Sequence, residues 1–234
     1  MKTSLKSFAA SVVVGLLGMG AATMAFADGS PTKEVVTSET INSTTVKWLI
    51  FRPVITQAEK NYTKIKFETG DSVTVEAGGC DQTGGYGQTW KRYVDPQGPN
   101  ADRLYHGLIE IPGVTNKFKA SPSGPKGLVR LLDMGMKNLS SGQFSGQFVV
   151  GDLSKVAEKD RYLRLGFEDD NYSDNGYWGR DNGTGNQCQN LGTSYVVITI
   201  SHRAIHPLAS SKAEKGSAAA KTAGKSPVTR TPTR

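Results

Sequence analysis

Short segments rich in β-branched and aromatic residues, separated by glycine and proline turns, constrain the fold of this chain more than any other feature. Apolar residues alternate with other residues at Leu163, Leu165 and Phe167, which is the period of a strand with one buried face. Turn residues such as those at 95–98 punctuate the chain between these segments. The single helical candidate is the short segment 152–163. This pattern predicts an all-β fold, an antiparallel β-sandwich.

The two ends of the chain differ in composition from its middle. Residues 1–27 begin with two lysines close together, continue through an apolar stretch and end in Ala-Phe-Ala, the pattern of a cleaved secretory signal peptide. The apolar stretch is too short and too rich in glycine to cross a membrane, although a retained anchor is the alternative. Residues 203–234 are rich in Ala, Lys, Ser, Thr and Pro and predict a disordered basic tail. We therefore expect one domain over residues 28–202 of a secreted protein, extracellular or periplasmic.

The positive charge of the chain lies outside this predicted domain. Of the 28 basic and 21 acidic residues, two lysines lie in 1–27, while seven basic residues and one acidic residue lie in 203–234. The domain keeps 19 basic against 20 acidic residues, a net charge of −1. A nucleic-acid-binding domain carries a basic surface on its folded part. We therefore expect no nucleic-acid partner, and we interpret the tail as a solvated linker.

The chain contains two cysteines, Cys80 and Cys188. An even number of cysteines in an exported chain favours a disulfide, and two free thiols are the alternative. A bridge would bring the loop that begins at Gly78 next to the loop that ends at Cys188.

The segment FEDDNYSDNGYW, residues 167–178, concentrates oxygen ligands in one loop that follows a predicted strand. Its four carboxylates belong to Glu168, Asp169, Asp170 and Asp174. Their mutual repulsion requires a counter-charge if the loop is to hold one shape, and either a hard cation or solvation of an Asx-rich turn can supply it.

Calcium is the metal that suits this loop best, since it takes six to eight oxygen ligands in flexible geometry. The loop is not an EF-hand, because its twelfth position, counted from Asn171, is Asn182 instead of a bidentate Glu. The three histidines and two cysteines do not have the spacing of zinc ligands, which argues against zinc as the ion.

Several further stretches accompany the acidic loop in a fixed order along residues 64–200. They are GDSVTVEAGG, PQG followed by DRLYH, GLVRLL, and LRLGFEDDNYSDN followed by SYVVITI. In these stretches the chain resembles the LecA-type (PA-IL-like) calcium-dependent galactose-binding lectins of bacteria. The resemblance implies a jelly-roll-like β-sandwich that holds one calcium ion, to which the vicinal hydroxyls of a sugar coordinate directly.

The resemblance also implies the residues of the site. The calcium ligands would be Thr83, Asp169, Asn171, Asp174 and Asn175, with Thr83 and Asn171 contributing through the backbone. Asp169 would contact the sugar as well as the ion.

Two further residues are candidates for sugar contact. His106 falls near the sugar-contacting segment of the family, and a hydrogen-bonded histidine at a strand end is the alternative. Trp178 lies in an insertion, residues 176–192, that the family lacks, and it could stack on a sugar ring, as could Tyr86 or Trp90. Core packing is the better interpretation of Trp90. Because the insertion falls at the site, the identity of the sugar stays open.

We therefore predict a secreted calcium-dependent carbohydrate-binding protein, with glycans or glycoconjugates as partners, and not an enzyme. One alternative is a structural or surface-interaction protein whose calcium only stiffens a loop. Another is a glycoside hydrolase that uses Asp169 with Asp174 or Glu168 as acid and base. The sequence contains no nucleophile elbow, P-loop or HExxH motif.

Overall fold

The structure is a computed structural model that describes residues 33–84, 88–176 and 181–203. Within these ranges the chain forms thirteen β-strands and four short 3-10 helices, and no α-helix. The strands are β1 (Val35–Asn42), β2 (Thr45–Phe51), β3 (Glu59–Lys66), β4 (Ser72–Gly78), β5 (Cys80–Thr83), β6 (Trp90–Arg92), β7 (Gly107–Glu110), β8 (Val129–Arg130), β9 (Lys137–Ser140), β10 (Gln143–Val149), β11 (Tyr162–Phe167), β12 (Asn175–Gly176) and β13 (Tyr195–Ser201). The 3-10 helices are Thr115–Lys117, Leu131–Met134, Glu158–Asp160 and Thr184–Asn186.

The strands form three antiparallel sheets. The largest has the order β1-β2-β13-β4-β10-β9, the second has the order β3-β11-β7-β8, and the smallest has β5 between β12 and β6. The pairings within each sheet are antiparallel, which confirms the predicted all-β antiparallel fold.

One hydrophobic core contains residues of the two larger sheets, which is consistent with a β-sandwich. The six-stranded sheet contributes Ile50, Val73, Val75, Ile198 and Ile200, and the four-stranded sheet contributes Ile65, Ile109, Leu163 and Leu165. Leu163 and Leu165 are fully buried, whereas Arg164 between them is only half-buried. Each buried leucine stabilises the fold by about 1.5–3 kcal/mol. The alternation in the sequence is therefore the alternation between a core face and an outer face of β11.

The predicted helix over 152–163 is wrong. Only Glu158–Asp160 forms a 3-10 turn, and the last two residues of the segment belong to β11. The Arg161 guanidinium donates hydrogen bonds to the carbonyls of Val156 and Leu153, at 3.0 and 3.1 Å. These bonds stabilise an irregular turn instead of a helix.

The smallest sheet continues directly from the largest at Gly79. This residue has φ +83°, and a Cβ there would collide with the carbonyl of Thr193, so glycine is required. The turn carries the chain from β4 into β5, which places β5 beyond the end of the six-stranded sheet.

The predicted signal peptide (1–27) and the tail after Arg203 lie outside the described residues. Among the residues that are described, no helix has the length and apolarity to span a membrane.

Candidate metal centre

The predicted disulfide between Cys80 and Cys188 is confirmed. The two Cα atoms are 6.0 Å apart, and the bridge joins β5 to the insertion. Trp90 packs against the bridge and is only 2% exposed, so its position agrees with core packing. The bridge therefore anchors the insertion beside the strand that carries Thr83.

Gln187 holds the same insertion on β6, and sequence reasoning missed it. This buried side chain accepts hydrogen bonds through Oε1 from the backbone N–H groups of Arg92 and Gln97, at 3.2 and 2.9 Å. Its Nε2 donates to the carbonyl of Gln97 at 2.9 Å. A single glutamine in a loop of glycine and asparagine gives no sequence signal for this role, because its partners lie far away along the chain.

The structure brings Thr83 and Asn175 together. They are direct partners in the antiparallel pairing of β5 with β12. Partners of this kind have Cα atoms about 4.5–5.5 Å apart. Two of the predicted ligand positions, from segments well separated in sequence, therefore lie side by side.

The side-chain amide of Asn175 has a fixed orientation. Nδ2 donates to the carbonyl of Ile55 and to Oδ2 of Asp169, both at 2.7 Å. Asn175 is 3% exposed, and its Oδ1 has no hydrogen-bond partner among the residues described. A buried acceptor without a hydrogen-bond partner destabilises the folded protein by about 1–3 kcal/mol. It is the kind of oxygen that a bound cation would satisfy.

Asp169 is held in place by the loop. Its Oδ1 accepts hydrogen bonds from the backbone N–H groups of Asp170 and Asn171, at 2.7 and 3.2 Å. Burial raises the pKa of Asp169 to about 6, although the hydrogen bonds from Asn175 and from the loop N–H groups oppose the shift. The carboxylate is thus partly desolvated, as a ligand for a hard cation would be.

Asp174 lies beside Gly84, the residue that follows β5. A Cβ on Gly84 would stand 3.1 Å from Oδ2 of Asp174. Within the described ranges, Oδ1 of Asp174 is a second buried acceptor without a hydrogen-bond partner.

Burial raises the pKa of Tyr105, and the charges of Asp169, Asp170 and Asp174 raise it further. All three carboxylates therefore act on the same phenol.

Asn171 uses its side chain within its own turn. Oδ1 accepts hydrogen bonds from the backbone N–H of Ser173 at 3.2 Å and from its hydroxyl at 2.7 Å. This Asx turn engages the side-chain oxygen of Asn171, and the backbone role that the lectin resemblance implies stays a prediction.

Glu168 and His106 point away from the loop and into the protein. Oε2 of Glu168 accepts a hydrogen bond from Nε of Arg130 at 2.7 Å and lies 3.1 Å from Nδ1 of His106. Oε1 accepts from the hydroxyl of Ser121. Burial raises the pKa of Glu168, but the close contact with His106 and the hydrogen bonds from Ser121 and Arg130 outweigh it and lower the pKa. His106 is only 3% exposed, so little of its side chain is open to a ligand. Its contact with a sugar stays a prediction.

Trp178 and Tyr86, the other two candidates for stacking on a sugar, lie outside the described residues.

Asp81 is a buried acid on β5 that plays no part in the predicted site. Its Oδ1 accepts a hydrogen bond from the hydroxyl of Ser194 at 2.6 Å. Burial raises its pKa to about 7, against the hydrogen bond from Ser194 and the charge of Arg52. The contact connects β5 to the residue that precedes β13.

A second group of potential ligands lies near the other end of β4 and was not predicted. Ligand atoms of Glu68, Asp71 and His202 lie within 4.8 Å of one another. Oδ1 of Asp71 is 3.0 Å from Nδ1 of His202, and Oδ2 accepts from the backbone N–H of Glu68 at 2.7 Å. Both oxygens of the buried acid thus have partners within the protein, unlike Asp174 of the acidic loop, whose Oδ1 has none among the described residues.

Comparison of the chain with protein-family models, with curated proteins and with solved structures found no match. The lectin resemblance therefore rests on the sequence stretches quoted above.

Tyr172 ties the acidic loop to the core, which leads to a prediction. Its hydroxyl donates to the carbonyl of Phe167 at 2.9 Å. Tyr172→Phe should lower the free energy of unfolding by about 1 kcal/mol, measured by denaturant titration, because this bond is lost. Tyr162→Phe is the matched control, since the Tyr162 hydroxyl makes no hydrogen bond with another described residue. Equal stability of the two variants would contradict the anchoring role.

Proposed function

We propose that this protein is a secreted calcium-dependent carbohydrate-binding protein whose ion site lies between the acidic loop, residues 169–175, and the end of β5. The observation that carries the proposal is the buried Oδ1 of Asn175, which has no hydrogen-bond partner among the described residues, on a side chain whose Nδ2 donates to the carboxylate of Asp169. A buried acceptor without a partner is stabilised when a cation reaches it, and a nearby carboxylate favours the cation.

The donor set fits calcium. It consists of the carboxylates of Asp169 and Asp174, the amide oxygen of Asn175, and main-chain oxygens of Thr83 and Asn171. All are hard oxygen ligands, and two carboxylates balance the charge of a divalent ion. Zinc would require cysteine or histidine ligands, which this set lacks. When bound, calcium would supply coordination positions for the vicinal hydroxyls of a sugar, as the lectin resemblance implies.

Three properties of the chain support a role outside the cytoplasm and a glycan partner. The disulfide is of a kind that persists in oxidising compartments. The first 27 residues have the pattern of a signal peptide. The acidic loop follows the last residue of β11 and leads into β12, and it is there that the glycan would reach the ion.

A glycan array probed with the chain, once with calcium and once with a chelator, tests the proposal. We expect a subset of galactose-containing or related glycans to bind more tightly in calcium than in EDTA, with recovery of the tighter binding when calcium is added in excess. Calcium binding should be measured on the same sample by calorimetry. A sample that binds calcium but no glycan would leave the ion with a purely structural role and overturn the proposal, as would chelator-resistant glycan binding at this site.

A further inference from the structure

A groove of about 520 Å³ lies on the four-stranded sheet, away from the acidic loop. Tyr162 and Arg164 of β11 line it, while Leu163 and Leu165, which alternate with them, are in the core. The groove therefore occupies the outer face of this sheet. Its volume is within the range of about 300–1,000 Å³ that is typical of small-molecule sites.

The floor of the groove is formed by residues that are paired across three adjacent strands. Arg164 is the register partner of Asn61 on β3 and of Glu110 on β7. Tyr162 lies two residues before Arg164 and so shares its face of the sheet. Asn116, in the 3-10 helix after β7, lines one side.

The charged groups that line the groove have partners within the chain, and Asp160 at its edge lies 3.5 Å from Nζ of Lys159. The Arg164 guanidinium donates to the carboxylates of Glu59 and Glu110, and both pairs are partly shielded from solvent. A phosphate or carboxylate ligand would have to compete with two acids for one guanidinium. An ammonium ligand would have to compete with the guanidinium for those acids. The groove is thus poorly suited to an ionic ligand.

Apart from the half-exposed carboxylate of Asp160, the groups that stay available are neutral. The amides of Asn61 and Asn116 and the hydroxyl of Tyr162 make no side-chain hydrogen bond within the part of the chain that the structure describes. Each can both donate and accept hydrogen bonds, as sugar hydroxyls do. The ring of Tyr162 adds an apolar surface on which the C–H face of a pyranose can pack.

We propose that this groove is a second saccharide-binding site, one that takes a neutral sugar and needs no metal ion. It is separate from the proposed calcium site, because Arg164 and Asp169 are five residues apart along β11 and its continuation, about 16 Å in an extended strand. The groove site stands whether or not the acidic loop binds calcium.

The test is NMR titration of the ¹⁵N-labelled chain in EDTA. Cellobiose, lactose and maltose serve as neutral probes, and putrescine and glucuronate as charged comparators. At least one disaccharide should shift the backbone amides of Asn61, Glu110, Tyr162 and Arg164 in a saturable manner, while the comparators leave them in place. EDTA removes any contribution of the proposed calcium site, so failure at one site is distinguishable from failure at the other.

A matched pair of asparagine variants makes the assignment specific. Asn61→Ala should weaken the disaccharide about fivefold, because one hydrogen bond to the sugar is lost. Asn138→Ala, at an exposed position of β9 in the other large sheet, should leave the affinity unchanged. The proposal is overturned if no disaccharide shifts the groove amides, if a charged comparator shifts them instead, or if the two variants bind equally well.

Discussion

Asp169→Ala and Asp174→Ala should each lower the affinity for calcium at least about 100-fold in isothermal titration calorimetry. Even the loss of a residue that only orients a metal ligand lowers the affinity for the metal about 10–100-fold. Removing a carboxylate ligand also removes half of the negative charge that balances the ion. The hydrophobic core does not include either residue, so both variants should stay folded.

The control for this experiment is Asp170→Ala. Asp170 is an exposed acid of the same loop that lies outside the proposed ligand set, and its replacement removes the same charge from the same region. If long-range electrostatics alone attracted calcium, all three variants would weaken binding to a similar degree. Unchanged calcium affinity in both Asp169→Ala and Asp174→Ala would show that the ion site is wrongly located.

Replacing both cysteines, Cys80→Ala with Cys188→Ala, should lower the free energy of unfolding by about 4–5 kcal/mol. The bridge spans 108 residues, and the chain-entropy model predicts a stabilisation of this size for a loop of that length. For a domain of this size the midpoint of thermal unfolding should fall by about 10–20 °C. Circular dichroism during heating measures the shift.

Reduction provides the matched control for the disulfide. The native chain in a strong reductant should unfold at about the temperature of the double variant, and the reductant should not affect the double variant itself. A double variant within about 1 kcal/mol of the native chain would mean that Gln187 and its hydrogen bonds hold the insertion without the bridge.

Local patterns in the sequence were sufficient for the strand content and the disulfide. Strand periodicity is a nearest-neighbour property, so Leu163 and Leu165 identify a buried face without knowledge of the partner strands. The cysteine pair is constrained by compartment and by number. The helix predicted over 152–163 failed because Arg161 bonds to main-chain carbonyls in a turn, a contact that propensity does not encode.

The acidic loop shows what local sequence patterns could not predict, namely which of its acids is buried. In the sequence, Glu168 and Asp169 are adjacent acids, and local composition places both in one cluster of carboxylates. In the structure Glu168 is buried against Arg130, while Asp169 faces Asn175. Adjacent residues of an extended chain point to opposite sides, and only the packing of the sheets decides which side is the interior.

The sequence by itself thus determined that the chain folds into antiparallel strands and that one loop is rich in oxygen ligands. Only the tertiary structure decided that Thr83 lies opposite Asn175 and that Oδ1 of Asn175 is buried without a partner among the described residues. The physical reason is that β5 and β12 come from distant parts of the chain. Their register depends on long-range hydrogen bonding and on the bridge that holds β5 in place, which no local pattern encodes.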